Sequence, residues 1–295
     1  MTQGTETDAV VLQRIGVVGC GLMGSGIAEA CARVGLEVVV VESSAAAVAA
    51  GERRIDVSLG RALRSGKLDD GAVTAAKERI RLTTDLADLA DRQVVVEAVT
   101  ESEADKVEIF GALDKLVEWP EAVLASNTSS IPIMKLAMAT SRPEQVVGVH
   151  FFNPVPVLPL VELVTSLLTS EETAARAHAF AADVLGKHVI RSQDRAGFIV
   201  NALLIPYLLS AIRMLESGFA TAEDIDTGMV KGCAHPMGPL ALADLIGLDT
   251  TVAVAESLYD EFKEPLYAPP PLLARMVDAG LLGRKCGRGF YRYDS

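Results

Sequence analysis

Hydrophobic residues form a series of short runs in the first part of the chain, and stretches with helical spacing separate these runs. Short apolar runs bounded by glycine and polar residues are typical of strands buried in a sheet. Strands that alternate with helices predict an α/β fold with a doubly wound, mostly parallel sheet. The runs that predict strands are residues 14–18, 37–42, 80–83, 94–98, 123–126, 146–150, 160–164 and 187–192.

The pattern changes after residue 192, and no convincing strand follows. Residues 193–197 form a linker, and residues 198–217 form a long apolar stretch that predicts a helix. Helical spacing then recurs over residues 221–231, 239–246, 249–262 and 271–279. We therefore predict two domains, an α/β domain over residues 1–192 and an all-α domain over residues 193–295.

A glycine-rich turn follows the first predicted strand. Gly19, Gly21 and Gly24 fit the pattern GxGxxG, and a helix and a second strand come after them. Gly19 permits a tight turn, Gly21 lets the backbone approach a pyrophosphate, and Gly24 lets the helix pack against the strand. This order of elements predicts a Rossmann-type dinucleotide-binding unit, with Leu22 and Met23 inside its loop.

The acidic residue that ends the second strand indicates which dinucleotide binds. Glu42 is placed to accept hydrogen bonds from the hydroxyls of the adenosine ribose. A 2′-phosphate would meet this carboxylate, and no arginine is adjacent to Glu42 in the sequence. The pattern therefore favours NAD over NADP.

A histidine ends the predicted strand 146–150, at the position where enzymes with such sheets keep their chemistry. Glu162 lies inside the next apolar run, where an unpaired carboxylate would be costly to bury. The simplest partner for Glu162 is His150, and the two residues are then a candidate acid–base pair. The alternative is a structural histidine together with a solvated glutamate on an edge strand.

Other polar residues also follow predicted strands, at the sheet edge that lines the cofactor crevice in this architecture. Ser129 and Ser130 could equally form a turn or cap the next helix. Asn201 is polar within an apolar helix, so it either contacts substrate between the domains or bonds a neighbouring helix. The residues at the strand ends are Glu97, Glu101, 127–130 and Asn153.

The chain is acidic, which limits the ligands that it can bind. Its 27 basic and 39 acidic residues give a formal charge of −12. Nucleic acid is not expected as a partner, because phosphate backbones bind net basic surfaces. An anionic small substrate needs a local cluster of cations, and the polar face of the predicted helix 45–66 is either such a clamp or an ordinary solvated surface. Its arginines are Arg53, Arg54, Arg61 and Arg64.

The cysteine spacing and the apolar stretches point to an intracellular protein. None of the 4 cysteines has CxxC spacing, which argues against a zinc site and a disulfide framework. Residues 1–13 do not resemble a signal peptide, and the apolar stretch 198–212 is shorter than the about 20 residues that cross a bilayer. We expect a cytoplasmic protein with reduced thiols, no metal site and no membrane partner.

Several blocks of the sequence resemble the 3-hydroxyacyl-CoA dehydrogenase family, in particular its short-chain 3-hydroxybutyryl-CoA members. The resemblance runs from Arg14 to Tyr293, and its most specific block is GVHFFNPVPVLPLVELV. The other blocks are GVVGCGLMGSGIA, VVEAVTE, SNTSSIPI, GFIVN, HPMGPLALADLIGLDT and GRGFYRY.

This resemblance implies reversible, NAD-dependent oxidation of an (S)-3-hydroxyacyl-CoA, as in fatty acid β-oxidation and butanoate metabolism. It implies that His150 is the catalytic acid/base with Glu162 as its partner, and that Ser129 and Asn201 contact the substrate. The apolar character of the all-α domain also suggests a subunit interface, so we expect a homodimer. The residues implied to hold NAD are Gly19, Gly21, Leu22, Met23, Gly24, Glu42, Glu101, Lys106, Asn153 and Lys285.

The chain departs from the family pattern at two positions. Ser58 matches a position that contacts coenzyme A, but Ser65 stands where the family has a lysine. Arg64 and Lys67 flank Ser65, so we expect them to supply the basic contact instead. Ala202 stands where the family has an arginine, which changes the packing there and not the chemistry.

Three other functions are consistent with parts of the sequence. The β-hydroxyacid dehydrogenases begin with a similar glycine motif but use a lysine on the helix between their domains, and residues 198–217 contain none. A dehydrogenase of a free hydroxy or sugar acid on the same scaffold is distinguished by its independence of coenzyme A. A non-enzymatic relative that binds NAD is disfavoured because His150, Glu162, Ser129 and Asn201 are intact.

Overall fold

The computed structural model describes residues 12–293, which divide into two compact units. The first unit contains residues 12–128 and 132–194, and the second contains residues 129–131 and 195–293. All strands of the sheet lie in the first unit. The last of them extends to Gln193, one residue beyond the predicted limit of the α/β domain.

A sheet of eight strands organises the first unit. Its strands are β1 (Arg14–Val18), β2 (Glu37–Val41), β3 (Ile80–Thr83), β4 (Val94–Glu97), β5 (Val123–Ser126), β6 (Val146–Phe151), β7 (Leu160–Thr165) and β8 (His188–Gln193). They lie in the order β3-β2-β1-β4-β5-β6-β7-β8. Strands β1 to β6 are all parallel, whereas β7 is antiparallel to β6 and β8 is parallel to β7. The order reverses beside β1, as in Rossmann-type sheets, so the predicted fold class is confirmed.

The central strands are short and apolar because helices cover both faces of the sheet. Every residue of β4 and β5 is buried, and valines supply half of the side chains. Because burying an unpaired polar group is costly, polar side chains occur mainly where each strand ends. Glu97 and Ser126 are the last residues of β4 and β5, and Glu42 follows β2 directly.

Among the six helices of the described first unit, four begin at a side-chain cap. Ser44, Asp69, Ser102 and Ser170 each accept a hydrogen bond from a backbone N–H in the first turn that follows. The helix after Asp69 was not among the predicted elements, although the aspartate marks its start. These helices are α1 (Leu22–Arg33), α2 (Ala45–Arg64), α3 (Asp70–Glu78), α4 (Glu103–Leu116), α5 (Ile133–Ala137) and α6 (Glu171–Ala179).

The second unit is helical around an apolar core of its own. Its helices are α7 (Val200–Glu216), α8 (Ala222–Thr227), α9 (Pro239–Ile246), α10 (Leu248–Phe262) and α11 (Pro271–Asp278). The longest, α7, buries Leu208, Leu209 and Ile212 in this core. Within residues 12–293, no helix has both the length and the apolar character needed to cross a membrane.

A buried aspartate fixes the last residues of the described chain against α9. Asp244 is 1% exposed, and its carboxylate accepts hydrogen bonds from the backbone N–H groups of Phe290 and Tyr291, both at 3.0 Å. The Tyr293 hydroxyl donates a third, at 2.9 Å. A Cβ atom at position 289 would lie 1.9 Å from Asp244 Oδ1, so Gly289 leaves the space that the carboxylate needs. This cluster explains the GRGFYRY block as a structural element.

We predict that Asp244→Asn destabilises the second unit by about 2–3 kcal/mol, because an amide cannot accept all three hydrogen bonds. Urea denaturation followed by circular dichroism measures this loss. The control is Asp260→Asn, since the Asp260 side chain is 77% exposed and pairs with Lys263 on the surface. The control is expected to cost under about 0.5 kcal/mol, and an equally small loss for Asp244→Asn would contradict the prediction.

Candidate active site

The glycine loop joins β1 to α1, and its three glycines answer three different geometric demands. Gly19 has φ +90°, a conformation that side chains rarely adopt. A Cβ atom at Gly24 would lie 1.9 Å from the Gly19 carbonyl oxygen, so the helix can approach the loop only because Gly24 has no side chain. A Cβ atom at Gly21 would meet nothing within 4 Å. Gly21 therefore borders open space that no described protein atom fills.

The N-terminus of α1 is suited to an anion. Gly21 is its N-cap residue and supplies no side-chain cap, and the first turn contains no acidic residue. Backbone N–H groups at such an end carry a partial positive charge and can bind a pyrophosphate. Leu22 is 65% exposed at this end, whereas Met23 packs against the core of the first unit.

Glu42 is held in place at the end of β2. Its Oε1 accepts a hydrogen bond from the Cys20 N–H at 2.6 Å, and its Oε2 accepts one from the Ser43 N–H at 3.1 Å. The Arg54 guanidinium on α2 donates to the Cys20 carbonyl at 3.2 Å, so α2 also fixes the glycine loop. Burial raises the pKa of the Cys20 thiol to about 12, with a smaller contribution from Glu42. The thiol therefore stays protonated beside the loop, and Glu42 supplies the negative charge there.

His150 and Glu162 are directly opposite each other on the antiparallel strands β6 and β7. His150 Nδ1 lies 2.7 Å from Glu162 Oε2, as the predicted pairing requires. His150 is 6% exposed and Glu162 is fully buried. The Phe152 ring lies edge-on to the imidazole, with centroids 4.7 Å apart. An ionised carboxylate only accepts hydrogen bonds, so with Glu162 ionised this geometry places an imidazole proton on Nδ1.

The ends of β4 and β5 supply further polar side chains at the same edge of the sheet. Lys106 on α4 is 1% exposed and pairs with Glu97 at 2.6 Å and with Glu101 at 3.2 Å. Asn127 Oδ1 accepts a hydrogen bond from the Phe151 N–H at 2.9 Å, which joins the end of β5 to the end of β6. Parallel strands thus bring Glu101, Lys106 and the His150 region to one edge of the first unit.

A cavity of about 390 Å³ lies between α1, α2 and the segment after β6. Three of the predicted site residues line it, Leu22, Ser58 and Asn153, together with three arginines of α2. No carboxylate within residues 12–293 forms an ion pair with any of the three guanidinium groups, so their charge is available to an anionic ligand. The residues that line the cavity are Leu22, Ser25, Gly26, Ala50, Arg53, Arg54, Val57, Ser58, Arg61, Asn153, Pro154, Val155 and Pro156.

The two basic residues expected to contact coenzyme A, Arg64 and Lys67, do not line this cavity. Arg64 ends α2, and its Nη1 lies 3.3 Å from the position that a Cβ would take at Gly60. Lys67 lies beyond the end of the helix. Helical spacing could have identified the cavity side, because positions 50, 53, 54, 57, 58 and 61 form one face of a helix. The prediction of Arg64 and Lys67 relied on their proximity to Ser65 in the sequence, which indicates the cavity lining less well than helical spacing does.

Three of the predicted site residues belong to the second unit. Asn201 is half-buried in the first turn of α7, and Ser129 lies in the short segment that groups with this unit. Lys285 forms an ion pair with Asp249 at the start of α10. The contacts predicted for these three residues across the two units stay predictions.

Two family models match the chain. Residues 14–195 match the model described as 3-hydroxyacyl-CoA dehydrogenase, NAD binding domain, and residues 197–293 match the one described as 3-hydroxyacyl-CoA dehydrogenase, C-terminal domain. NAD is the cofactor that these matches indicate, and the loop geometry fits it. Gly21 leaves space for a pyrophosphate, α1 presents its N-terminus, and Glu42 presents a carboxylate for a ribose.

The similarity to individual relatives extends over nearly the whole chain. A 3-hydroxybutyryl-CoA dehydrogenase of Mycobacterium tuberculosis is 61% identical over 96% of this chain and 99% of the relative. The crystal structure of M. tuberculosis FadB2 has a TM-score of 0.95 and 61% identity, and it covers 96% of this chain and 100% of that one. The structure of (S)-3-hydroxybutyryl-CoA dehydrogenase PaaH1 from Ralstonia eutropha has a TM-score of 0.90 at 48% identity, with coverages of 97% and 100%.

We predict that Gly21→Ala folds normally but binds NADH at least about tenfold more weakly. Its φ of −66° suits any residue, and the added methyl group meets no protein atom within 4 Å. The methyl group instead occupies the space through which the pyrophosphate approaches the backbone. NADH fluorescence titration and urea denaturation measure the two effects separately.

Gly24→Ala is the matched comparison, because its methyl group would overlap the Gly19 carbonyl. This variant is expected to lose stability, whereas Gly21→Ala is expected to stay within about 0.5 kcal/mol of the unchanged protein. A folded Gly21→Ala protein with an NADH Kd within twofold of the unchanged protein would rule out this role for Gly21.

Proposed function

The chain belongs to the 3-hydroxyacyl-CoA dehydrogenase family, and we propose that it interconverts (S)-3-hydroxyacyl-CoA and 3-ketoacyl-CoA with NAD. We propose 3-hydroxybutyryl-CoA as its principal substrate, as the names of its relatives suggest. The observation that carries the proposal is the buried His150–Glu162 pair, at the same sheet edge as the glycine loop. Oxidation of a secondary alcohol needs a proton acceptor beside the hydride acceptor, and this edge offers both positions.

The proposed chemistry divides between the cofactor and the protein. Bound NAD would supply the hydride acceptor for oxidation, and bound NADH would supply the hydride donor for reduction. His150 takes the hydroxyl proton on Nε2 in oxidation and gives it to the ketone oxygen in reduction. Glu162 accepts the Nδ1 hydrogen bond at 2.7 Å, which fixes the tautomer and stabilises the imidazolium that forms.

We assign the remaining predicted site residues to ligand contacts. Ser129 and Asn201 carry neutral hydrogen-bonding groups and would hold the reacting oxygen or the thioester carbonyl. Glu101, Lys106, Asn153 and Lys285 would contact NAD together with the glycine loop and Glu42. We also propose that residues 1–192 are the NAD-binding domain and that residues 193–295 form the substrate and dimerisation domain.

We place the phosphates of coenzyme A at the cavity beside α2. Coenzyme A carries several phosphate charges, and arginine binds phosphate through paired N–H groups. Arg53, Arg54 and Arg61 line this cavity together with Ser58, in a chain of net charge −12. A free hydroxy acid would have no phosphates for these cations, so the cavity favours the thioester over the free-acid alternative.

We propose a homodimer formed through the second unit. Large apolar side chains of this unit are exposed, among them Leu203 at 72% and Phe219 at 79%. Exposed apolar groups of this size are typical of surfaces that bind other proteins. Sedimentation at micromolar concentration tests this proposal, and a monomer would contradict it.

We predict that His150→Gln lowers turnover by roughly 10²–10⁴-fold, because glutamine offers no group that exchanges a proton near neutral pH. NADH oxidation with acetoacetyl-CoA gives the rate, and NADH fluorescence should show unchanged cofactor affinity. The alternative of a non-enzymatic NAD-binding protein requires that the unchanged protein fails to oxidise NADH with any 3-ketoacyl-CoA. Near-normal turnover of His150→Gln would remove the residue from its proposed role.

We predict that Arg61→Ala raises the KM for acetoacetyl-CoA about fivefold, the effect of losing about 1 kcal/mol of charge-assisted binding. The same variant should leave the KM for acetoacetyl-pantetheine unchanged, because this thioester lacks the nucleotide phosphates. Arg64→Ala is the control, since Arg64 lies on the same helix outside the cavity. Equal effects of Arg61→Ala on both thioesters would contradict this placement of coenzyme A.

A further inference from the structure

A buried carboxylate joins the ends of two central strands. Glu97, the last residue of β4, has 0% exposure, and both of its oxygens accept hydrogen bonds. Oε1 accepts from Lys106 Nζ at 2.6 Å and from the Val99 N–H at 2.8 Å. Oε2 accepts from the Ser126 hydroxyl at 2.6 Å. Ser126 is the residue paired with Glu97 across β4 and β5, so the sheet register sets this contact.

The contacts of Glu97 continue into a closed ring of five residues, in which one link is a backbone N–H. Ser126 Oγ accepts a hydrogen bond from the Thr128 N–H at 3.1 Å. The Thr128 hydroxyl donates to Glu101 Oε1, and Glu101 Oε2 lies 3.2 Å from Lys106 Nζ. Lys106 then returns to Glu97. The ring therefore runs through Glu97, Ser126, Thr128, Glu101 and Lys106.

The ring links the two sides of the proposed reaction. Glu101 and Lys106 are on the side assigned to NAD. Ser126 and Thr128 lead along the chain to Ser129, which is assigned to the substrate. Glu97 contacts both branches with separate oxygens, so one carboxylate sets both positions. A buried ion pair of this kind adds little stability beyond what apolar side chains of similar size would provide, which leaves positioning as the stronger reason for it.

We propose that Glu97 is a positioning residue for the dehydrogenase reaction. It holds the Lys106 ammonium and the Glu101 carboxylate toward the cofactor, and through Ser126 and Thr128 it holds the start of the substrate loop. This inference rests on the proposed function, because the ligand contacts of Lys106, Glu101 and Ser129 belong to that proposal. Displacements of about 1 Å at such positions are enough to cost roughly 10²-fold in rate.

The test compares Glu97→Gln with the unchanged protein. Glutamine keeps the shape, but its amide replaces an oxygen that accepted the Ser126 hydroxyl, so the Ser126 proton loses its partner. We expect the NADH Kd to rise about tenfold and kcat/KM for acetoacetyl-CoA to fall roughly 10²-fold. The matched control is Glu103→Gln, since Glu103 pairs with Lys135 where both side chains are about half exposed, at 50% and 52%. This control should change neither constant.

A second variant separates positioning from simple destabilisation. Ser126→Ala removes both hydrogen bonds of the Ser126 hydroxyl, the one to Glu97 and the one from the Thr128 N–H, and keeps the Glu97–Lys106 pair. It is expected to raise the KM for acetoacetyl-CoA several-fold, with a smaller change in NADH Kd. In the Glu97→Gln background it should cost less than in the unchanged protein, because the hydrogen bond from the Ser126 hydroxyl to residue 97 is already lost and only the one from the Thr128 N–H remains.

The proposal is overturned if Glu97→Gln is folded, has a lower urea midpoint, and keeps both the NADH Kd and kcat/KM within twofold of the unchanged protein. If Glu97→Gln does not fold, Ser126→Ala decides, and unchanged constants for that variant overturn the proposal. The NADH titration needs no thioester. Failure of the proposed function, seen as no turnover by the unchanged protein, is therefore distinct from failure of this inference.

Discussion

The antiparallel pairing of β6 with β7 is the interaction on which the candidate chemistry depends. Consecutive parallel strands need a crossover between them, whereas an antiparallel partner can follow directly and place opposite residues on one face. The apolar pairs Val149–Leu163 and Phe151–Val161 flank His150–Glu162 and fix the register. A slip of one residue would turn Glu162 to the other face of the sheet, away from the imidazole. Packing of the apolar neighbours is thus what holds the acid–base pair together.

Polar side chains also join neighbouring strands along the carboxyl edge of the sheet. They do so at four of the junctions between strands, where a strand leaves the apolar interior. Glu42 bonds the backbone after β1, Glu97 joins β4 to β5, Asn127 joins β5 to β6, and His150–Glu162 joins β6 to β7. Each contact satisfies a group that burial would otherwise penalise. Polar side chains thus stabilise this edge, and they also position the groups that are proposed to contact the cofactor and the substrate.

Local signals in the sequence predicted the strands and the glycine loop, and they suggested the His150–Glu162 pair as one of two alternatives. Apolar runs mark the strands, and the cost of an unpaired buried carboxylate suggests the partner of Glu162. The ring around Glu97 was not predicted, because it needs the register of β4 against β5, and Ser126 lies far from Glu97 along the chain. The arginines at the cavity were noticed as one helix face, but sequence adjacency to Ser65 selected Arg64 and Lys67 instead of the face at positions 53, 54 and 61.

The distribution of charge explains how an acidic protein can offer a site to a polyanion. At physiological ionic strength, exposed charges separated by more than about 8 Å are largely screened from each other, so the net charge of −12 acts only weakly at any one surface. The internal carboxylate of Glu97 contributes still less to a ligand outside, because it pairs with the Lys106 ammonium. The α2 arginines are exposed at the cavity and lie beside the open N-terminus of α1. The α2 arginines and the N-terminus of α1 thus lie on one face of the first unit, so the local potential at this face is positive for a phosphate-bearing ligand.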